Sequence, residues 1–468
     1  MSAAPDAPRP SALLPRSVVL CYALPGVGLT FSFLLMGLYF LKYATDVLLI
    51  APALMGLLFA VSRFWDAVSD PLAGYLSDRT RSRFGRRRSW MILSALPFGL
   101  SLWMLWSPPG GITGGLAAVW VGVGLFLFYT TYTAYSVPYG ALGVELSHDY
   151  HDRTRLFAWR QGIGAVGMLF GVGAYYLLLE SERGSASVPS PRALGTGIGV
   201  FASVAICAGT LALVLRVGER SEYQERRPAR IFGAFGDVLI NPHARRLLVV
   251  QCTHYVSVAA LSLVSAYLFQ YVLRVPSSTA ALLVACFAGG TVSAIPLWVV
   301  LSRRFGKHRC WSAALWCLGV AYGLLYFVLD ESVAATPARI AVTALLTALL
   351  GALQSSHFVL SHSMQADVID WDEERTGERK EGAYLAALSF AEKCAAAFAA
   401  AAVGIVLDLV GYAPGQEQNH ATHVALLALV SFVPAACHFL AAMLLAGFGL
   451  GEREHARIRE VLAERANG

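Results

Sequence analysis

The hydrophobic positions of this chain fall into long runs that are separated by short polar stretches. Runs of about 20 mostly apolar residues are long enough for a helix to cross a lipid bilayer, and the pattern predicts twelve such helices. The sequence therefore predicts an all-α, polytopic membrane protein. The approximate bounds of the runs are 18–41, 48–76, 90–107, 114–145, 155–180, 195–216, 246–272, 280–301, 309–329, 337–366, 383–411 and 421–449.

The positive charges are concentrated in every second polar stretch. Most of the 36 Lys and Arg residues lie in the tails and in the loops after the even-numbered runs. By the positive-inside rule, this side of the membrane is the cytoplasm. We therefore expect a multi-pass protein of the plasma (inner) membrane with both termini in the cytoplasm. The net charge of +6 comes from these loops, so it does not indicate a nucleic-acid partner.

Composition agrees with a membrane protein and excludes several other classes. Hydrophobic residues make up 56% of the chain and charged residues 14%, whereas soluble proteins carry about 25% charged residues. The eight cysteines lie in or beside apolar runs without CxxC spacing, so we interpret them as core residues. No run carries HExxH, GxSxG or a Walker loop. The sequence predicts no enzyme, no cofactor and no structural metal.

The second run carries unusual charges. Arg63, Asp66 and Asp70 lie within it, and spacings of three and four residues bring them to one side of a helix. Ionisable groups are costly against lipid and usually mark an ion or substrate path. Arg63 neutralises only one carboxylate, so we expect a transported cation to balance the other. The alternative is a buried salt-bridge cluster that only fixes helix packing.

A weak internal repeat divides the chain into two halves. The motif RSRFGR at 81–86 follows the second run, and SRRFGK at 302–307 follows the eighth. Each motif has the same place in its own set of six helices, as in the duplicated architecture of secondary transporters. The predicted segments are a disordered cytoplasmic N-tail at 1–17, a six-helix bundle at 18–216, a cytoplasmic linker at 217–245, a second six-helix bundle at 246–449 and a cytoplasmic C-tail at 450–468.

Several motifs together resemble one transporter family. The loop sequence GYLSDR at 74–79, with GRR at 85–87, resembles the signature of the major facilitator superfamily. The segment RFWDAVSDP at 63–71 resembles the second-helix signature of its glycoside–pentoside–hexuronide:cation symporters, the melibiose carrier group. The resemblance implies two pseudo-symmetric six-helix bundles. Further similar segments are VPYGAL at 137–142, RTRL at 153–156 with Arg160, ADVID at 366–370, and Lys393 followed by VGY at 410–412.

The resemblance also implies a cation site. In these symporters the second-helix carboxylates coordinate the coupling cation, which gives this role to Asp66 and Asp70, with Ser69 between them. Thr133 and Ser136, one turn apart on the fourth helix, are candidate further ligands; the alternative is that each bonds a carbonyl of its own helix. Oxygen ligands suit Na⁺ or Li⁺, and a close carboxylate pair equally suits H⁺. The choice among these cations stays open.

The solute is less constrained. Sugar carriers of the group have an Asp where this chain has Thr30 and another where it has Ser136, which weakens a galactoside assignment. The family also includes lysophospholipid carriers with apolar cavities. We favour a sugar or glycoside, and an amphipathic lipid such as a lysophospholipid is the alternative. The candidate cavity residues are Tyr22, Thr30, Arg63, Trp65, Tyr129, Tyr132, Arg160, His357 and Lys393.

These candidates have structural alternatives. Aromatic residues in membrane helices more often pack or anchor at the interface. The resemblance places Lys393 in the central cavity near Asp66 and Asp70, whereas a pair with Glu392 or extension toward the interface is the alternative. We interpret Arg160 as a partner for a cavity carboxylate or a substrate anion.

Loop charges on the predicted cytoplasmic side differ in sign between the halves. Their attraction would close this side while the cavity opens outward, and ordinary solvated loop charges are the alternative. The predicted gate residues are Asp78, Arg79, Arg86 and Arg87 in the first half and Asp367 and Asp370 in the second.

Together, these features predict a cation-coupled symporter that works by alternating access. Its expected partners are a small solute, a monovalent cation and the lipid bilayer, and we expect a monomer. A non-transporting scaffold or sensor is the competing class, but it has no need of a charged second-helix face.

Overall fold

The computed structural model describes residues 14–147, 149–219, 236, 238–329, 336–378 and 380–467. Most of the predicted N-tail at 1–17 and the centre of the predicted linker at 217–245 lie outside the described residues.

The described residues form twelve long helices and a shorter helix near the C-terminus. We number them in chain order. They are α1 (Arg16–Leu38), α2 (Pro52–Arg79), α3 (Arg86–Trp106), α4 (Gly114–Glu145), α5 (Tyr150–Glu182), α6 (Pro191–Arg216), α7 (Pro242–Val272), α8 (Ser277–Phe305), α9 (Lys307–Leu329), α10 (Pro337–Thr376), α11 (Glu381–Leu409), α12 (His420–Ala446) and α13 (Glu452–Asn467).

Eleven of the described helices are long and apolar enough to cross a membrane, and α2 is the remaining long helix. It has 28 residues, which gives a length of about 42 Å at 1.5 Å per residue. The hydrocarbon core of a bilayer is about 30 Å thick. Helix α2 is therefore long enough to span the bilayer, and its charged residues lower its mean hydropathy. All twelve predicted membrane helices are present.

The repeated loop motif has the same backbone conformation in both halves. Gly85 precedes α3 with a φ of 100°, and Gly306 precedes α9 with a φ of 85°. Glycine adopts these angles without the steric cost that a side chain would add. The repeat in the sequence is thus a repeat of structure.

Proline and asparagine mark several helix starts. Pro52, Pro191, Pro242 and Pro337 lie in the first turns of α2, α6, α7 and α10, where the missing N–H has no helical partner to lose. The side chain of Asn241 caps α7 by accepting from two backbone N–H groups. These local signals fix where the helices begin.

The helices pack in the same order in each half. In the first half α1 packs on α5, α2 on α4, and α3 on both α4 and α6. In the second half α7 packs on α11, α8 on α10, and α9 on both α10 and α12. Each contact recurs six helices later. The halves meet through two contacts, α2 against α11 and α5 against α8. Exchanging the two halves converts one of these contacts into the other.

We call the side where α1 begins the termini face and the side where α1 ends the opposite face. The halves approach closely near the opposite face, where α2 contacts α11 through glycines. A Cβ atom added to Gly56 would lie 2.5 Å from the carbonyl oxygen of Ala400, and one added to Gly404 would lie 2.4 Å from that of Pro52. This backbone contact shows that the halves are closed together at the opposite face.

Candidate functional site

The charged side of α2 lies between the two halves, against α11. Asp66 is completely buried, whereas the side chain of Asp70 is 25% exposed. The two carboxylates are one helical turn apart, as their spacing predicts. They form the centre of a polar site in the middle of the membrane-spanning region.

Lys393 bridges the two carboxylates from α11. Its Nζ lies 2.9 Å from Asp66 Oδ2 and 2.6 Å from Asp70 Oδ2. Arg63 lies farther away, with Nη1 3.6 Å from Asp66 Oδ2. The expectation that one carboxylate lacks a protein partner is therefore wrong for this conformation. The partner comes from the other half of the chain, more than 300 residues away.

Two hydroxyl groups complete the site around the carboxylates. Thr133 on α4 donates to Asp66 Oδ1 at 2.8 Å and also reaches Asp70 Oδ1 at 3.2 Å. Ser69 donates to Thr133 Oγ1 at 3.2 Å. The other hydroxyl candidate, Ser136, contacts the side chain of Tyr132 on its own helix. Thr133 therefore contacts both carboxylates and Ser69 contacts Thr133. The contact described for Ser136 is with Tyr132 and not with a carboxylate.

A cavity of about 240 Å³ lies between the halves beside this site. Helices α1, α2 and α4 of the first half and α7 and α11 of the second half form its walls. The lining residues are Phe33, Met36, Gly37, Phe59, Arg63, Tyr129, Tyr255, Val258, Ala259, Ser262, Leu263, Glu392, Ala396 and Ala400.

The polar groups of the cavity come from both halves. The guanidinium of Arg63 lies over the ring of Tyr129, 5.1 Å from its centroid, and 5.9 Å from the centroid of Phe33. Such contacts between a cation and an aromatic face are favourable. From the other half, the Glu392 carboxylate contacts the Tyr255 hydroxyl. The cavity thus presents a cation on one wall and a carboxylate on the other.

Tyr22 and Arg160 were predicted to line the cavity, and the structure places them in the packing of α1, α4 and α5. The Tyr22 hydroxyl donates to the carbonyl of Tyr139 at 3.1 Å, and the Tyr139 hydroxyl donates back to that of Tyr22 at 2.8 Å. The guanidinium of Arg160 lies 4.5 Å from the centroid of the Tyr139 ring. Tyr22 is completely buried and does not belong to the cavity lining described above, so its place in a substrate path stays a prediction.

Trp65 and Thr30 also lie away from the described cavity lining. The Trp65 indole donates to Thr130 at 2.8 Å and packs on Phe126, which is 46% exposed on the outer side of α4. Trp65 follows Arg63 by two residues, about 200° around the helix, which explains its different direction. Thr30 faces Gly164 of α5, where an added Cβ would lie 3.0 Å from Thr30 Oγ1.

Tyr132 and His357 have mainly packing contacts. The Tyr132 ring packs on Phe33 at a centroid distance of 4.5 Å, so it lies behind one cavity wall. His357 is 2% exposed and stacks on His254 in the core of the second half. Of the predicted cavity residues, Arg63 and Tyr129 line the cavity, and Lys393 lies at the adjoining carboxylates.

The predicted gate residues of the first half pair with one another. Asp78 lies 2.5 Å from Arg87, and Arg86 donates to Glu145 at 2.8 Å. Arg86 and Arg87 are 5% and 7% exposed, so they are buried cations, and their carboxylate partners Asp78 and Glu145 are partly exposed. The remaining residue, Arg79, lies over the ring of Tyr75 on its own helix.

The predicted gate residues of the second half pair similarly within their half. Lys307 donates to Asp367 at 2.7 Å, and His455 of α13 lies 3.1 Å from Asp370 and 3.5 Å from Asp367. Each of these described pairs lies within one half. In this conformation these pairs therefore do not form the predicted attraction between the halves at the termini face.

The sequence interpretation missed a charged cluster at the opposite face. Lys42 is completely buried, and its Nζ lies 2.5 Å from both Asp46 Oδ2 and Glu182 Oε2. The Tyr39 hydroxyl donates to Glu182 at 2.5 Å. A signal was present, because Lys42 and Asp46 are four residues apart at the end of an apolar run, the spacing of a helical ion pair.

This cluster also joins the two halves. The Tyr271 hydroxyl donates to Asp46 Oδ2 at 2.9 Å, and the Tyr412 hydroxyl donates to Asp46 Oδ1 at 2.6 Å. We call Lys42, Asp46, Glu182, Tyr271 and Tyr412 the opposite-face cluster. It closes the cavity at the face where the glycines of α2 and α11 meet.

Within the described residues, no group of three or more His, Cys, Asp and Glu side chains is arranged to hold a metal ion.

Comparison with known proteins gives one family. The sequence model of the family described as "MFS/sugar transport protein" matches residues 21–452. The putative glycoside/cation symporter YagG of Escherichia coli (strain K12) is 27% identical over 383 residues, covering 79% of this chain and 78% of that protein. The sodium-dependent lysophosphatidylcholine symporter 1 of Gallus gallus is 26% identical over 487 residues, covering 96% of this chain and 90% of that protein.

Solved structures share the fold. The crystal structure of a D-xylose-proton symporter matches with a TM-score of 0.65 at 14% sequence identity, over 92% of this chain and 97% of that chain. At this identity the match concerns the fold alone, and it confirms the predicted architecture of two six-helix bundles.

Proposed function

Because the chain belongs to the MFS/sugar transport protein family, we propose that it carries a small solute, a sugar or glycoside, together with Na⁺, Li⁺ or H⁺ by alternating access. Membership of this family confirms the resemblance seen in the sequence and makes the chain a membrane symporter, not an enzyme. The observation that carries the proposal is the pair of mid-membrane carboxylates, Asp66 and Asp70, bridged by Lys393 from the other half.

The coupling cation competes with Lys393 for the carboxylates. Na⁺, Li⁺ or H⁺ bound to Asp66 and Asp70 removes the negative charge that holds the lysine. Lys393 belongs to α11 and the carboxylates to α2, so this exchange weakens a contact between the halves. A ligand that changes the contact between two bodies shifts the equilibrium between their arrangements. Cation occupancy and conformation are linked in this way.

The site has the features of a binding site more than of a packing salt bridge. Asp70 is partly exposed, so ions can reach it. Thr133 adds an oxygen atom beside both carboxylates, and Ser69 adds one beside Thr133. Oxygen atoms are the ligands that small hard cations prefer.

The adjoining cavity supports a small solute. Its volume of about 240 Å³ is below the range of about 300–1,000 Å³ of ligand pockets in general. Arg63, Glu392, Tyr129 and Tyr255 provide donors and acceptors that match sugar hydroxyls. A long acyl chain would not fit within this volume.

A lysophospholipid is the second candidate. The cavity has apolar residues on its walls, such as Phe33, Phe59 and Leu263, and a relative that matches over 96% of this chain is named as a lysophosphatidylcholine symporter. For this solute the cavity would have to widen in another conformation.

The two faces act as alternating gates in this proposal. The opposite-face cluster closes the outer side, which the positive-inside rule makes extracytoplasmic, with both termini in the cytoplasm. When this cluster separates, the acidic residues Asp367 and Asp370 exchange their partners for the basic loop of the first half, and the termini face closes. One chain supplies the cation site, the cavity and both gates, so the proposed carrier is a monomer.

The test is uptake into proteoliposomes across a panel of sugars, glycosides and lysolipids, with imposed Na⁺, Li⁺ and pH gradients. We expect gradient-driven uptake of at least one solute by the wild-type protein. The Asp66→Asn and Asp70→Asn variants should remain folded and lose the stimulation by the cation gradient. Asp408→Asn, an exposed carboxylate on α11, is the matched control and should behave like the wild type. Cation-stimulated uptake by both site variants would refute the proposal.

A further inference from the structure

Three histidines are buried together in the core of the second half, away from the carboxylate site. His254 of α7, His357 of α10 and His438 of α12 are 2%, 2% and 0% exposed. The rings of His254 and His357 are stacked with centroids 3.8 Å apart, and His438 lies 5.5 Å from His254. We call these three residues the histidine cluster.

Polar atoms around the histidine cluster lack partners. In each imidazole, one ring nitrogen has no hydrogen-bond partner among the described residues: Nδ1 of His254, Nδ1 of His357 and Nε2 of His438. Buried polar atoms without partners are rare and costly. Neighbouring atoms in the same situation within the described part of the chain are Gln354 Oε1 and Trp311 Nε1.

These atoms surround the cluster closely. The Trp311 ring lies 5.8 Å from His357, and the Tyr322 ring stacks on His438 at 5.3 Å. Gln354 Nε2 lies 3.1 Å from His254 Nε2. Four helices, α7, α9, α10 and α12, therefore direct polar groups to one region.

The chemistry of the atoms defines what can pair with them. His438 Nδ1 lies 2.7 Å from the carbonyl oxygen of Pro434, which only accepts, so Nδ1 carries the proton and the neutral ring offers Nε2 as an acceptor. Trp311 Nε1 is a donor only. The occupants of this region must therefore include a donor for the imidazole and an acceptor for the indole. A metal cation cannot accept from the indole, and a simple anion cannot donate to the imidazole.

We propose that water molecules occupy this region and form a hydrated pocket in the core of the second half. Water both donates and accepts, and buried water typically pairs with two to four such atoms. The local backbone agrees with this, because α10 forms a π-helical turn at His357–Ser361, a deviation that is frequent at functional sites.

The hydrated pocket adjoins the central cavity. The Tyr255 hydroxyl lies 3.4 Å from His357 Nε2 and also contacts Glu392, and both Tyr255 and Glu392 line the cavity. Tyr255 therefore stands between the cavity and the histidine cluster, and water exchanges past it.

Radiolytic hydroxyl-radical labelling of the protein in lipid nanodiscs, read by mass spectrometry, tests the proposal. Radicals formed from bound water oxidise adjacent side chains. Trp311 and Trp106 are both completely buried, and Trp106 packs among aromatic rings of the first half. We expect several-fold faster oxidation of Trp311 than of Trp106. Equal, slow oxidation of the two tryptophans in the wild-type protein overturns the proposal.

A variant locates the water. His357→Leu removes both nitrogen atoms of one ring and should slow the oxidation of Trp311 several-fold while that of Trp106 stays unchanged. Unchanged oxidation of Trp311 in this folded variant also overturns the proposal. Asp66→Asn should leave the oxidation of Trp311 as in the wild type, so this test fails or succeeds independently of the carboxylate site.

Discussion

Removing the two hydroxyl groups that hold Asp46 should open the opposite face. Tyr271 and Tyr412 come from the second half, and each donates to the Asp46 carboxylate of the first half. The double variant Tyr271→Phe with Tyr412→Phe keeps the rings and removes both donors to Asp46, together with the contacts of the Tyr271 hydroxyl with Tyr412 and with the backbone N–H of Gly415 inside the second half. The two bonds to Asp46 are the ones it removes between the halves.

The expected size follows from the two bonds. A hydrogen bond to a charged group contributes about 1.5–3 kcal/mol, so two of them contribute about 3–6 kcal/mol to the closed arrangement. Each 1.4 kcal/mol corresponds to about a tenfold change in an equilibrium constant. The ratio of open to closed opposite faces should rise by roughly 10²- to 10⁴-fold.

Double electron–electron resonance spectroscopy measures the distance between two spin labels and so reports the ratio of open to closed molecules. Spin labels at Ser187→Cys and Glu417→Cys, two exposed loop positions at the opposite face of the two halves, would be placed in a chain whose eight native cysteines are replaced. The double variant should gain a population with a longer distance between the labels.

A matched tyrosine controls for general effects of losing a hydroxyl. Tyr39→Phe removes the donor to Glu182, a bond within the first half, and should leave the distance distribution as in the parent. An unchanged distribution in the double variant, or an equal change in Tyr39→Phe, would refute the assignment of this cluster as a gate.

Three further perturbations follow from the described contacts. Gly404→Ala places a Cβ about 2.4 Å from the carbonyl of Pro52 and should lengthen the same label distance; an unaltered distance would contradict the close contact. Thr133→Val removes the hydroxyl that adjoins both carboxylates. A hydrogen bond to a charged group contributes about 1.5–3 kcal/mol, so cation binding should weaken by about 10-fold or more. A wild-type cation affinity measured by calorimetry would argue against a role of Thr133 in the cation site. Arg87→Gln removes one of the two arginines that pair with Glu145, which keeps Arg86, and should cost about 1.5–3 kcal/mol of stability, visible as a lower melting temperature in detergent.

The sequence predicted the fold well because the signals are local. Apolar runs and the repeated glycine motif each depend on neighbouring residues, and both appear in the structure, as long helices and as matching turns. The position of Lys393 beside the carboxylates came from the family resemblance, since nothing near Lys393 in sequence points to α2.

Cavity residues were harder to predict, because the sequence around an aromatic residue in a membrane helix does not show whether its side chain lines a cavity or packs against neighbouring helices. Tyr129 lines the cavity, whereas Tyr22 bonds to Tyr139 in the core. Helical geometry would have separated Trp65 from Arg63, because two residues turn the helix by about 200°. The partners of Asp46 come from distant helices, so sequence spacing could not reveal them.

Equilibrium cation binding to the wild type and to Lys393→Met tests the central claim most directly. If Na⁺, Li⁺ or H⁺ competes with the lysine for Asp66 and Asp70, removing the lysine should tighten binding of the coupling cation, measured by calorimetry for the metal ions and by proton uptake for H⁺. Asp70→Asn should abolish the same binding. Equal cation affinity with and without Lys393, or binding that survives in Asp70→Asn, would contradict the account.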